Sequence, residues 1–126
     1  MEKLVHHHLI YQAKVGRADL GEDAESVLRD FLYNLVKEIN MNVLIDPVLK
    51  FSYKEAWTGL IGIVTSHISF HYWKKERYVQ LDIYSCKEFD IEKAKAFLDK
   101  FWVASEQKIL FINRQFGKDF VVEKIT

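Results

Sequence analysis

One proline, one cysteine and five glycines in 126 residues leave little that would interrupt or cross-link regular structure. A single thiol cannot close an internal disulfide, so the fold must rest on packing and backbone hydrogen bonds. Neither sign of charge is in surplus, since Lys plus Arg and Asp plus Glu stand at 18 each. No basic field draws nucleic acid and no acidic field draws polycations, so partners must be recognised locally. Long apolar runs are missing as well. None approaches the roughly 18 residues needed to span a bilayer, and no charged start leading into an apolar run marks a signal peptide. The expected location is cytoplasmic, away from membranes. Low-complexity and linker-like tracts are absent too, while 49% hydrophobic and 14% aromatic residues suffice for a core. One ordered domain over 1–126 is expected.

Periodicity supplies the elements. Residues 5 to 15 alternate as a strand, with Leu9, Tyr11, Ala13 and Val15 on one face, and a turn follows from Gly16 to Gly21. From Glu22 to Asn40, Val27, Leu28, Phe31, Leu32, Leu35, Val36 and Ile39 recur at helical spacing. Asn42 to Leu49 reads as a strand that Pro47 should confine to an edge or end early. After a break at Ser52 to Glu55, Trp57 to Val64 is β-rich, and Gly59 and Gly62 within it predict a bulge or a close backbone approach. This run leads straight into Ser66. His67 to Trp73 and Tyr78 to Cys86 are strands joined by a charged hairpin at Lys74 to Arg77. Asp90 caps a second helix, Ile91 to Val103, with a stripe of Ile91, Ala94, Phe97, Leu98 and Phe101. Lys108 to Asn113 and a short Phe120 to Ile125 complete the set. Two helices cannot cover both faces of so many strands. The expected fold class is α+β, a two-layer sandwich of a mainly antiparallel sheet with both helices on one face.

The chemistry-bearing groups gather in Thr65-Ser66-His67-Ile68-Ser69-Phe70-His71-Tyr72-Trp73 and at Cys86. Hydroxyl, imidazole and thiol are the groups that attack carbonyls and move protons near neutral pH. Strand parity sets Ser66, Ile68 and Phe70 on one face and His67, Ser69 and His71 on the other. Ser66 and His71 therefore share a site only if the chain breaks near Ser66. In the return strand Val79, Leu81 and Ile83 share one face, and Cys86 falls with Gln80, Asp82 and Tyr84 on the polar one. A metal centre is not expected. His6, His7 and His8 are successive strand residues that point to alternate faces, and no HExxH or CxxC spacing is present.

Thr58-Gly59-Leu60-Ile61-Gly62-Ile63-Val64 leading into that segment, with Asp82-Ile83-Tyr84-Ser85-Cys86 after it, resembles the processing region of the prokaryotic S-adenosylmethionine decarboxylase proenzymes. The intervals from Ser66 to His71 and to Cys86 agree with that family, Thr58 falls at its small hydroxyl residue, and His8-Leu9-Ile10 looks like its opening strand. The resemblance implies a pyruvoyl enzyme that needs neither a metal nor pyridoxal phosphate. Ser66 would attack the carbonyl of Thr65, the chain would cut itself there, and Ser66 would become a pyruvoyl group that forms a Schiff base with a substrate amine. It assigns Thr58 and His71 to processing and Cys86 to donating a proton. It also implies an α+β sandwich whose protomers pair as a homodimer with sites near the interface, acting on a small-molecule substrate in spermidine synthesis.

The chain departs from the family pattern at three places. Thr65 precedes the scissile bond where Glu is usual, Lys74 and Lys75 follow the motif Trp where Pro-Glu is usual, and Phe51-Ser52-Tyr53 differs around the ring that stacks on adenine. Trp73, Phe51 or Tyr53, and Glu76 in place of the missing acid, are the expected substrate contacts. A lysine there opposes the sulfonium of S-adenosylmethionine. Two alternatives stand beside that substrate: the same chemistry on ornithine or arginine, and a non-catalytic relative that binds a partner or ligand.

Overall fold

In the computed structural model, which describes residues 4–17 and 19–126, alternation and helical stripes resolve into one sheet backed by two helices. The elements run β1 (His7–Val15), α1 (Ala24–Glu38), β2 (Val43–Ser52), β3 (Ala56–Ile63), β4 (Ser66–Trp73), β5 (Tyr78–Ser85), α2 (Ile91–Trp102), β6 (Ala104–Asn113) and β7 (Val121–Lys124). All strand pairs are antiparallel, in the order β2-β3-β4-β5-β1-β6-β7. This is the expected α+β sandwich. The expected turn from Gly16 to Gly21 includes Ala18, which lies outside the described residues.

The buried layer lies between the helices and one sheet face. β1 contributes Leu9, Tyr11, Ala13 and Val15, β4 contributes Ile68, Phe70 and Tyr72, and β5 contributes Val79, Leu81 and Ile83, each set at a period of two. Against them α1 sets Leu28, Phe31, Leu32, Leu35 and Val36, the spacing of a single helical face. From α2 come Ala94, Leu98 and Trp102. The expected stripe stops at Phe101, but the largest fully buried side chain is Trp102, an i+4 step from Leu98, which meets the rings of Phe31 and Phe70 at 5.2 and 5.9 Å. Asp90 caps α2 as expected, accepting from the Lys93 N–H at 3.1 Å.

Pro47 does confine β2 to an edge, but it does not end the strand. Register shifts between Val43 and Val48 absorb the missing N–H, and β2 continues to Ser52. The bulge therefore lies in β2, not in β3, where the glycines serve close approach. A Cβ on Gly59 would fall 2.4 Å from the Phe70 ring, and one on Gly62 would fall 2.8 Å from Ile45. The break at 52–55 is a single 3-10 turn over Tyr53–Glu55, with Lys54 and Glu55 both at φ 55. β6 begins at Ala104, four residues earlier than its alternation suggests. Its first residues pair with β1 beyond a bulge in β6 opposite Gln12 to Lys14.

Candidate active site

The run from Trp57 does not lead straight into Ser66. Val64 and Thr65 form a two-residue hairpin between β3 and β4, closed by the pair Ile63 and Ser66. β4 then proceeds unbroken from Ser66 to Trp73, so no break lets Ser66 and His71 share one face. Ser66 itself stands at φ 156, a positive value that side chains disfavour. The same residue pairs with Ser85 on β5. One step further, the Cys86 N–H donates to the Thr65 carbonyl oxygen at 2.9 Å. The Thr65 hydroxyl lies 2.9 Å from Ser85 Oγ and 3.3 Å from Met41 Sδ. Ser66, Thr65 and Cys86 are thus brought together at one end of the sheet, with Cys86 half-buried.

Thr58 and His71 are together as well, but elsewhere. They are register partners on β3 and β4, and Thr58 Oγ1 lies 3.0 Å from His71 Nδ1. Five strand residues at about 3.3 Å each set His71 roughly 17 Å along β4 from Ser66. Parity also places it on the open face of the sheet, away from the helices. Within a single protomer the two halves of the expected machinery do not meet.

Between them the open face carries a polar network around Asp82. His8 Nε2 lies 2.7 Å from its carboxylate, His67 Nε2 lies 3.6 Å away, and Ser69 donates a hydrogen bond to it. Burial alone would raise the Asp82 pKa, but the bonds from His8 and Ser69 and the nearby imidazoles outweigh it and hold the carboxyl below its ordinary value. At the Ser66 end, His6 Nδ1 lies 2.7 Å from the Tyr84 hydroxyl, and the Arg114 guanidinium sits 4.5 Å over the Tyr84 ring. The alternation of β4 and β5 already put Asp82, Ser69 and His67 on one face, but the motif drew attention to other residues and the network was missed. Ser85 was missed too, as an ordinary member of the same string. Among the described residues, no group of three or more His, Cys, Asp or Glu is arranged to hold a metal ion. No helix among them is long and apolar enough to cross a membrane.

The expected substrate contacts divide between the two faces. Trp73 lies on the open side beyond His71, with its ring stacked on Tyr78 at 4.7 Å. Glu76 lines a cleft there with Gln12, Gln80 and Tyr78. Phe51 pairs with Trp57, 5.2 Å between rings, and borders a separate hollow with Leu20 and Tyr72 on the helix side. Tyr53, on the 3-10 turn, is 79% exposed. Lys74 turns its amine toward Asp19 at 3.7 Å, so its charge is partly answered at the rim of that same hollow.

The chain is similar to known proteins both in sequence and in fold. The model of the S-adenosylmethionine decarboxylase family matches residues 7–115. An S-adenosylmethionine decarboxylase proenzyme of Pyrococcus abyssi is 30% identical over 120 residues, covering 94% of this chain and 84% of its own. The proenzyme of Pyrococcus horikoshii is 32% identical over 99 residues, covering 78% and 69%. In fold, the chain is similar to the crystal structure of an adenosylmethionine decarboxylase from Aquifex aeolicus, with a TM-score of 0.74 over 93% of this chain and 96% of that one at 21% identity.

Proposed function

The chain belongs to the S-adenosylmethionine decarboxylase family, and from that membership we propose that it cuts itself between Thr65 and Ser66, converts Ser66 to a pyruvoyl group and decarboxylates S-adenosylmethionine for spermidine synthesis. The observation that carries this reading lies at the bond itself: the Thr65 carbonyl already accepts the Cys86 N–H at 2.9 Å, next to a serine held at positive φ at the end of a tight hairpin. Negative charge develops on that oxygen when Ser66 Oγ attacks the carbonyl carbon, and a fixed donor aimed at it stabilises the charge. The C–N bond breaks, the hydroxyl proton passes to the leaving nitrogen, and an ester joins the two residues. Loss of the Ser66 Cα proton then breaks the ester C–O bond and leaves Thr65 as a carboxylate. The resulting enamine becomes an imine, and water replaces its nitrogen as ammonia. No oxidant is needed.

Once formed, the pyruvoyl group supplies a ketone that engages the substrate amine and takes up the electron pair released with carbon dioxide. The Cys86 thiol, next to Ser66 in the fold, returns a proton to carbon. Trp73 and Glu76 lie at the His71 end of β4, so they hold the substrate bound at the pyruvoyl group of the other protomer, Glu76 standing in for the acid that Lys74 and Lys75 replace. Of the two rings expected for adenine, Tyr53 is exposed and free to swing onto a ligand, whereas Phe51 packs on Trp57 beside the hollow on the helix side.

The separation of Thr58 and His71 from Ser66 favours a homodimer that meets through its open faces. Each protomer's pair then serves the hairpin of the other, Thr58 donating to the charged intermediate and His71 taking the Cα proton. Intact mass tests the whole reading. A single 14.9 kDa chain should become two pieces, 1–65 and 66–126, the second with a blocked terminus. A chain that stays whole instead supports the non-catalytic alternative. If the chain is cut, carbon dioxide released from labelled S-adenosylmethionine, against labelled ornithine and arginine, decides the substrate.

A further inference from the structure

Resting on the self-cleavage reading, we propose that the Ser85 hydroxyl is a positioning group that holds Thr65 in the geometry needed for attack. Among the described residues Ser85 is the one polar residue that is fully buried, at 0% exposure. A hydroxyl in such a place is costly unless its bonds are made. Here they run to the scissile residue and to the main chain of Lys87, just past the end of β5. Ser85 Oγ accepts from the Lys87 N–H at 3.0 Å and lies 2.8 Å from the Lys87 carbonyl and 2.9 Å from Thr65 Oγ1. It has one proton to give. When that proton goes to Thr65, the Thr65 hydroxyl can donate in turn to Met41 Sδ, 3.3 Å away.

The consequence lies in what two neighbouring residues do to one. Ser85 grips the side chain of Thr65, while Cys86 grips its carbonyl oxygen through the main chain. Two ties from consecutive residues fix both the side chain and the peptide plane of Thr65, so the carbonyl carbon is presented to Ser66 Oγ without a search over conformers. The tie depends on a hydroxyl at both ends. Thr65 supplies one and Ser85 the other.

The test is a double-mutant cycle on the rate of self-cleavage, followed by intact mass from newly synthesised chain. Ser85→Ala and Thr65→Val should each slow cleavage about tenfold, the value of one neutral hydrogen bond. The double variant should be no slower than either single one, because both remove the same tie. A purely structural role for Ser85 would instead give additive slowing, and that result overturns the proposal, as does Ser85→Ala cleaving at the wild-type rate. Thr65→Val removes the same tie without disturbing the buried site, so it decides the matter should Ser85→Ala fail to fold. A wild-type chain that never cuts itself overturns the self-cleavage reading, and this proposal falls with it. Normal wild-type cleavage with an indifferent Ser85→Ala overturns the proposal alone.

Discussion

Replacing Asp82 by Asn probes the network on the open face, and its effect is best measured in a chain also carrying Ser66→Ala, which stays whole and unfolds as one unit. Asn keeps the shape of the side chain but offers one acceptor oxygen in place of two. It can serve Ser69 or His8, not both, and its amide points donors at donors. The loss is one hydrogen bond to a charged acceptor, which is about 1.5–3 kcal/mol in general. The Asp82 side chain is 27% exposed, so the lower end applies, about 1.5 kcal/mol. For a domain of this size that lowers Tm by about 5–8 °C. The pH dependence is a sharper check. Because the folded carboxyl lies below its ordinary value, its stabilisation is complete above the unfolded pKa, near 3.9, and is lost as pH falls through the lower folded value. Urea titrations at pH 7, 5, 4 and 3 should show a constant gap between parent and variant down to about pH 4, then a narrowing one. A gap under about 0.5 kcal/mol at pH 7, or one that is the same at pH 3 as at pH 7, would show that the carboxylate is not held by these partners.

Mixing variants tests the shared site. A His71→Ala chain should not cut itself alone but should be cut when co-expressed with Ser66→Ala, whose His71 is intact; no cleavage in the mixture refutes supply from a partner. Cys86→Ser keeps the main-chain N–H that reaches Thr65, so self-cleavage should proceed within a few-fold of wild type while turnover falls at least tenfold; equal loss of both would merge the two roles. Gly59→Ala should cost about 1–3 kcal/mol by overpacking, since its Cβ would lie 2.4 Å from the buried Phe70 ring, and thermal melting of the Ser66→Ala form reads this directly. Tyr11 is buried and donates to Asp99 at 2.8 Å, and its pKa is driven up by that burial and by the neighbouring carboxylate. It stays protonated through any working pH, and Tyr11→Phe should destabilise by about 1–2 kcal/mol in denaturant melts at neutral pH.

The inner face of β4 and β5 was legible residue by residue, because burial on one side only imposes a strict period of two from Ser66 to Ser85. The helices were legible for the same kind of reason. The early start of β6 was not, since Ala104 to Gln107 has no alternation and joins the sheet through a bulge in β6 itself, where Ser105 to Lys108 spans the stretch from Lys14 to Gln12 on β1. Trp102 had a signal in its i+4 step from Leu98, but the nearer Phe101 completed a plausible stripe. At the site, the motif located Ser66, Cys86, Thr58 and His71, and parity warned that Ser66 and His71 could not share one face. The meeting of the Cys86 N–H with the Thr65 carbonyl could not be read, because it depends on the register that the hairpin at Lys74 to Arg77 sets between two strands. The Asp82 network depends in addition on β1 entering beside β5, a pairing between residues far apart in the chain.

The strand order has a consequence for the cut chain. Residues 1–65 hold β1, β2 and β3, and residues 66–126 hold β4 to β7. In the sheet these do not lie side by side as two blocks: β1 is inserted between β5 and β6, and β3 lies against β4. Three antiparallel ladders therefore cross from one piece to the other, and α1 from the first piece shares the core with α2 from the second. Severing the bond at Thr65 removes a covalent link from the tip of a hairpin and nothing from the weave. The two pieces remain interlocked as a single body, and the new terminus at residue 66 gains freedom to move while the strand behind it stays anchored on both sides.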